Sequence, residues 1–200
     1  RLCRDWSSDV CSSDLILDPI LAGVFIHEAF GHLSEGDNVY ENEELQDLMR
    51  LGKKVGADIL SVYDTGLEPG ARGYLRYDDE GVPAQKTYLI KDGLLVGRLH
   101  SRETAGKMGE APTGNARAVS YTFSPIPRMR TTCIQAGSSS FCDLISGVEL
   151  GVYALLVPVA LSRAGGLSGL VAATPPDPSY WNFWQGGGSG IVYLALLAPA

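Results

Sequence analysis

At 200 residues, the chain is the size of one domain or a piece of a larger protein. Its net charge of −7 offers no phosphate-binding surface, and the acidity gathers at Glu35, Asp37, Glu41, Glu43, Glu44 and Asp47, so no nucleic-acid partner is expected. No apolar run reaches the ~18 residues needed to span a bilayer, so no membrane anchor is expected either.

Residues 5–15, Asp5-Trp6-Ser7-Ser8-Asp9-Val10-Cys11-Ser12-Ser13-Asp14-Leu15, read as a translated sequencing-adapter oligonucleotide. Residues 1–15 are therefore set aside as an artefact. They have neither the basic-then-apolar order of a signal peptide nor amphipathic periodicity, so no targeting role is expected. Cys3 and Cys11 go with them. Cys133 and Cys142 remain, too widely spaced for a C-x-x-C motif. Two isolated thiols without a secretory signal are expected to be reduced and partly buried, in a cytoplasmic protein.

Ile16–Ile20 is a short apolar lead-in with Pro19 before a helix. Leu21–Leu33 is that helix, apolar at Leu21, Val24, Phe25 and Phe30 and expected to be largely buried. It carries two of the three histidines in Gly23-Val24-Phe25-Ile26-His27-Glu28-Ala29-Phe30-Gly31-His32-Leu33-Ser34-Glu35-Gly36-Asp37. In the H-E-x-x-H pattern of zinc peptidases, histidines four apart share one helical face, and the Glu acts as general base on a metal-activated water. Here the gap is five, which on a regular α-helix sets the rings roughly 140° apart. A π-type widening, with hydrogen bonds from i to i+5, would return them to one face. Gly31 would let the backbone bend there. His27 and His32 are thus candidate ligands of a divalent transition metal, with Glu28 as candidate general base. The alternative is a buried helix with two hydrogen-bonded histidines. Glu35, three residues past His32, is placed either to orient that ring or to remain a solvated carboxylate.

Glu43–Lys54 is expected to form a surface helix, acidic at its start and basic at its end, with Gly52 and Gly56 available to stop it. Strands are expected over 58–63, 74–77, 86–90, 94–100, 118–123 and 129–134. Lys91-Asp92-Gly93 marks a tight turn, and Asp78–Glu80 reads as a plain acidic turn rather than a calcium loop. Ser101 is expected to cap a short helix to Met108. His100 reads as a surface or core histidine. Arg117 is available to a peptide carboxylate or carbonyl, or to an acid of its own chain, the second being favoured. Ser140–Tyr153 is expected to be a final amphipathic helix. The order favours an α+β domain, a buried metal-site helix on a mainly antiparallel sheet with short flanking helices.

From Gly151 to Ala200 only Arg163 and Asp177 are charged, and neither helical nor strand periodicity is sustained. Residues 155–200 are therefore expected to be an anomalous, frameshifted tail, with a genuine Gly/Pro-rich tail as the alternative.

His27-Glu28-Ala29-Phe30-Gly31-His32-Leu33-Ser34-Glu35-Gly36-Asp37 closely resembles the metal-site signature of the TldD/PmbA metallopeptidases, also called "modulator of DNA gyrase" proteins. The resemblance continues through Asp79-Glu80-Gly81, Leu89-Ile90-Lys91-Asp92-Gly93, Pro112-Thr113-Gly114-Asn115-Ala116-Arg117 and Pro127-Arg128-Met129. It covers residues 16–154, which are expected to be part of such a domain within a longer protein. It implies a metal-dependent peptidase acting on unfolded or small peptides, with zinc the favoured ion, in an assembly of paired subunits of which one lacks the metal motif. It also implies a third ligand, a cysteine in a glycine-rich segment downstream. Neither Cys133 nor Cys142 matches that segment, and no third ligand is assigned. The alternative is an inactive, peptide-binding partner subunit. A structural metal site would need a fourth protein ligand, for which the chain offers no spaced candidate.

Overall fold

The computed structural model describes residues 14–146, 148, 151–158 and 190–197. The expected artefact at residues 1–15 therefore lies outside the described residues as far as residue 13, as does most of the tail from residue 155. The chain divides into two units, one made of Arg1–Leu21 with Ser138–Ala200 and the other of Ala22–Gly137.

In the first unit, β1 (Asp14–Leu17) leads into α1 (Pro19–Ile26). Pro19 suits the first turn because its missing N–H has no helical partner there. Asp18 precedes it and caps the turn, its Oδ1 accepting from Leu21 N at 2.7 Å.

The second unit begins within α1, which runs into a π-helical turn, His27–Gly31, and a 3₁₀ turn, His32–Ser34. Two helices of six residues follow, α2 (Gly36–Glu41) and α3 (Glu43–Leu48). Asn42 separates them and caps α3, its side chain accepting from Glu44 N and Leu45 N. α3 stops well short of Lys54. The guanidinium of Arg98 donates from Nε (3.2 Å) and Nη2 (2.6 Å) to the carbonyl of the buried Met49, satisfying an oxygen that a longer helix would have used.

β2 (Val62–Thr65) and β3 (Lys86–Lys91) form the centre of an antiparallel sheet. The turn to β4 (Leu94–Leu95) has positive φ at both Asp92 (51°) and Gly93 (76°), as a type I′ hairpin requires. β4 is short because Val96 N and Gly97 N both turn to Leu89 O, and Leu99 leaves to bridge Glu35 instead. α4 (Arg102–Met108) begins with the expected Ser101 cap, in a reciprocal box with Thr104, and ends on left-handed Gly109. β5 (Ala116–Arg117) and β6 (Ile126–Pro127) form a small pair, and β7 (Thr131–Ile134) completes the main sheet in the order β4-β3-β2-β7.

The remaining elements belong to the first unit. α5 (Phe141–Ser146) is followed by β8 (Gly151–Pro158), which pairs parallel to β1 and antiparallel to β9 (Gly190–Leu197). The helix expected over 140–153 therefore ends at Ser146. Val152, Tyr153 and Val157 are β-formers and enter a ladder instead.

Two expected strands of the second unit are absent. Residues 74–77 make only a bridge from Tyr77 to Pro83, whose ring removes the next ladder donor. Over 118–123 the backbone curls so that Phe123 N donates to Ser120 O, with Ser120 and Thr122 bonded side chain to side chain. Local hydroxyl bonds of this kind compete with strand pairing. Overall the architecture is α+β on a mainly antiparallel sheet.

Three apolar clusters make the core of the second unit: Ile26, Val62 and Ile90; Val39, Met49 and Leu95; and Leu89, Leu99 and Met129. Phe30 packs against all three. The site helix is half-buried rather than largely buried. Only Ile26, Gly31 and Ser34 are enclosed between residues 21 and 34, and Phe25 is 58% exposed. The inward stripe runs through Ile26 and Phe30, four apart, and Phe25 is rotated about 100° away from it.

Candidate metal centre

The widened turn sets the geometry of the site. His32 N–H donates to His27 O, an i to i+5 bond, which overcomes the 140° divergence of a regular helix. The two imidazoles meet edge to face, with ring centroids 5.0 Å apart. Glu28 Oε2 lies 4.0 Å from His32 Nε2. One ligand atom from each of His27, Glu28 and His32 falls within 4.8 Å of the other two.

The turn is held by its own side chains. Ser34 Oγ donates to Gly31 O at 2.6 Å and Asn38 Nδ2 to His32 O at 3.1 Å, so carbonyls left over at the helix end are satisfied. Gly31 itself is in ordinary right-handed helical geometry (φ −56°, ψ −48°). Its role is space, since Met129 packs where a side chain would stand. The Ser34–Gly36 segment is then pinned to the sheet connection. Leu99 N donates to Ser34 O and Gly36 N to Leu99 O, each at 2.8 Å.

Between those two bonds sits Glu35, 1% exposed, so the solvated alternative for this residue does not hold. Its Oε2 accepts from Arg128 Nη1 at 2.8 Å and Asn38 Nδ2 at 3.4 Å, and lies 3.5 Å from His32 Nδ1. Burial pushes the Glu35 carboxyl above its ordinary value, against the opposing pull of the Arg128 guanidinium and the His32 ring. Arg128 stands between two carboxylates, with Asp37 Oδ2 3.9 Å from Nη1. The ion pair with an acid of the same chain is thus made by Arg128. Arg117 is exposed on β5 and forms no ion pair among the described residues. Sequence reasoning gave Arg128 no role, because the contact spans 93 positions; its only signal was membership of the Pro127-Arg128-Met129 block.

The other candidates fall outside this cluster. His100 is a core histidine, 1% exposed, with Nδ1 3.1 Å from Thr104 Oγ1 and Nε2 3.1 Å from Glu110 Oε2. Burial lowers its pKa, and Glu110 works against that shift. Cys133 is half-buried on β7, its thiol donating to Thr131 O, and burial pushes that thiol up. Cys142 is exposed on α5 rather than partly buried. Both are free thiols, and neither joins His27, Glu28 and His32 among the described residues. Asp78 makes the expected plain turn, its Oδ1 accepting from Glu80 N and Val82 N.

The donor set fits a transition metal. Two imidazole nitrogens on one face, with a carboxylate beside them, suit zinc and its neighbours better than magnesium or calcium. His32 and Glu28 side chains are 49% and 68% exposed, which leaves the cluster open to solvent and to a second molecule.

Histidines and a glutamate converging on one widened helical turn of an α+β unit form a donor pattern of the kind metal-dependent hydrolases use. Comparison with known proteins gives the family: residues 11–161 match the model of the PmbA/TldA metallopeptidase C-terminal domain, and the chain belongs to the PmbA/TldD metallopeptidases. A metalloprotease of Synechocystis sp. is 55% identical over 140 residues, covering 70% of this chain and 30% of that protein. A metalloprotease of Methanocaldococcus jannaschii is 47% identical over 140 residues, with the same coverages. A zinc metalloprotease TldD homologue of Saccharolobus solfataricus is 37% identical over 146 residues, 72% of this chain and 32% of that one. A crystal structure from Thermotoga maritima, described as a modulator of a DNA gyrase, superposes with a TM-score of 0.59 at 25% identity, covering 76% of this chain and 33% of that one. TldE from Thermococcus kodakarensis shares the fold, with a TM-score of 0.57 at 24% identity, covering 70% of this chain and 32% of its own. The chain thus spans about a third of the length of the relatives it matches.

Proposed function

We propose that this chain carries the metal centre of a peptidase in which His27 and His32 hold a divalent transition metal and Glu28 is the general base. The convergence of the three donor atoms within 4.8 Å on the π turn carries the reading. Zinc is the favoured ion, on the chemistry of the imidazole pair and the name of the Saccharolobus solfataricus relative. When bound, such an ion acidifies water and polarises a peptide carbonyl.

The residues of the chain divide the remaining tasks. His27 and His32 are fixed through the backbone of the π turn and through Phe30, which anchors that turn in the core. Glu28 follows His27 directly and stands on the solvent side. Its Oε2 is placed to accept a proton from water and later to return it to the leaving amine nitrogen. The open face admits an extended peptide backbone, so unfolded or small peptides are the proposed substrates. A paired subunit of the same family is the proposed partner, consistent with the shared fold of TldE. No helix among the described residues is long and apolar enough to cross a membrane, and a cytoplasmic setting belongs to the same proposal.

The test is Glu28→Gln in the full chain. Retained zinc with hydrolysis of an unfolded peptide lost is the expected result, and unchanged hydrolysis would remove Glu28 from the role of base. A second reading, an inactive peptide-binding subunit, predicts no hydrolysis by the parent. The presence of His27, Glu28 and His32 together favours the enzyme.

A further inference from the structure

The two edges of the His32 ring face different groups. Nε2 faces Glu28 Oε2, 4.0 Å away. Nδ1 faces Glu35 Oε2 at 3.5 Å, at the long end of hydrogen-bond range. A neutral imidazole carries its proton on one nitrogen and a lone pair on the other, and the partner of one nitrogen selects the role of the other.

We propose that Glu35, clamped by Arg128, is the positioning residue of the centre: it holds the His32 proton on Nδ1 and thereby presents Nε2 as the coordinating nitrogen. This rests on the metal-centre reading above and adds to it the residue that orients one ligand.

The surroundings of Glu35 fit that task better than a purely structural one. Its backbone is fixed on both sides by Leu99. Gly36 lets this happen, since a Cβ there would lie 2.6 Å from His100 Nδ1 and 2.9 Å from Leu99 O. The carboxylate therefore cannot swing with a mobile loop. Arg128 and Asn38 both donate to Oε2, the oxygen that faces the ring, while Oε1 is buried with no protein partner among the described residues. A buried carboxylate with one oxygen unmatched costs stability. Arg128 offsets part of that cost through its 2.8 Å contact with Oε2. What the carboxylate adds is a fixed acceptor, aimed at the Nδ1 edge of His32 while Nε2 faces Glu28, and carboxylates in this relation to a ligand histidine fix its tautomer and raise its basicity.

The experiment compares the full chain with its Glu35→Gln and His27→Ala variants, using zinc alone as the probe. Affinity is read by competition with a chromophoric chelator, and folding by circular dichroism. The proposal expects Glu35→Gln to remain folded and to bind zinc about 10- to 100-fold more weakly than the parent. Equal affinity in a zinc-binding parent would overturn the positioning role and leave the metal centre standing. A parent that binds zinc no better than His27→Ala would overturn both. A second measurement does not depend on the variant folding. Long-range ¹⁵N–¹H correlation spectra of the metal-free parent, with His32 assigned by its loss in His32→Gln, report the tautomer of the neutral ring. A proton on Nδ1 is expected, and one on Nε2 would overturn the proposal.

Discussion

Met129 Sδ occupies the place where a side chain on Gly31 would begin: a Cβ built on Gly31 would lie 2.1 Å from it. The glycine is therefore fixed by packing and not by backbone freedom, because its φ and ψ are ordinary for any residue. Met129 belongs to the cluster with Leu89 and Leu99, and Phe30 packs on the same cluster from the π turn. Gly31→Ala must displace the thioether, and overpacking of this kind costs about 1–3 kcal/mol. A urea midpoint lowered to match is the expected result. An unchanged midpoint would mean that Met129 repacks freely and that Gly31 does not brace the turn.

Zinc binding should appear as stability. A ligand that binds only the folded state at 100 times its dissociation constant adds about 2.7 kcal/mol. The melting temperature should rise with zinc and return on adding a chelator. His27→Ala should abolish the rise, because one imidazole alone leaves too few ligands. A shift that survives His27→Ala would place the ion elsewhere.

His100 gives the fold an acid limit. Its pKa lies below the ordinary 6.5, chiefly because burial disfavours the charged ring. The unfolded chain therefore binds the proton more readily than the folded one in the interval between the two values. Stability from this residue is complete above about 6.5 and is lost as pH falls towards the folded value. Denaturation curves between pH 7 and 5 should show that decline, and His100→Gln should flatten it even though the variant is weaker at neutral pH. An equally steep decline in the variant would assign the acid limit to another group.

Asp64 ties three parts of the sheet region together. Its oxygens accept from Arg130 N (3.1 and 3.0 Å), Thr132 Oγ1 (2.9 Å) and Asn115 Nδ2 (2.8 Å). Asn115 also donates to Arg128 O at 3.0 Å. Asn115→Ala strips one partner from a buried carboxylate, for which about 1–3 kcal/mol is expected. The same change should loosen Arg128. In Asn115→Ala a fall in zinc affinity is therefore expected alongside the lower denaturation midpoint, and stability lost without any change in affinity would separate the two.

Features set by neighbours in sequence were legible in the chain. The five-residue gap from His27 to His32 has one helical solution for a shared face, and the π turn is that solution. Ser101 and Asp92-Gly93 act through bonds within a few residues, and both do what their chemistry indicates. Features set at long range were not legible. α3 ends where Arg98, 49 residues away, takes the Met49 carbonyl. Glu35 is held by Leu99 and paired with Arg128, 64 and 93 residues away. The apolar, charge-poor residues after Gly151 carry no period that separates helix from strand, and the strand of β8 is set by its partners β1 and β9.

The π turn also acts as a phase shifter. On a regular α-helix the five-residue step would set His32, and everything after it, about 140° round from His27. The widened turn absorbs the additional residue, so Ser34, Glu35 and Gly36, which follow His32 on the same segment, come round with it to meet Leu99. Closing the turn to α-helical pitch without removing a residue would part the imidazoles and swing that segment off the sheet connection in the same movement. One local widening thus serves two angular demands on a single segment: one from the donors at its surface, the other from the backbone bonds beneath.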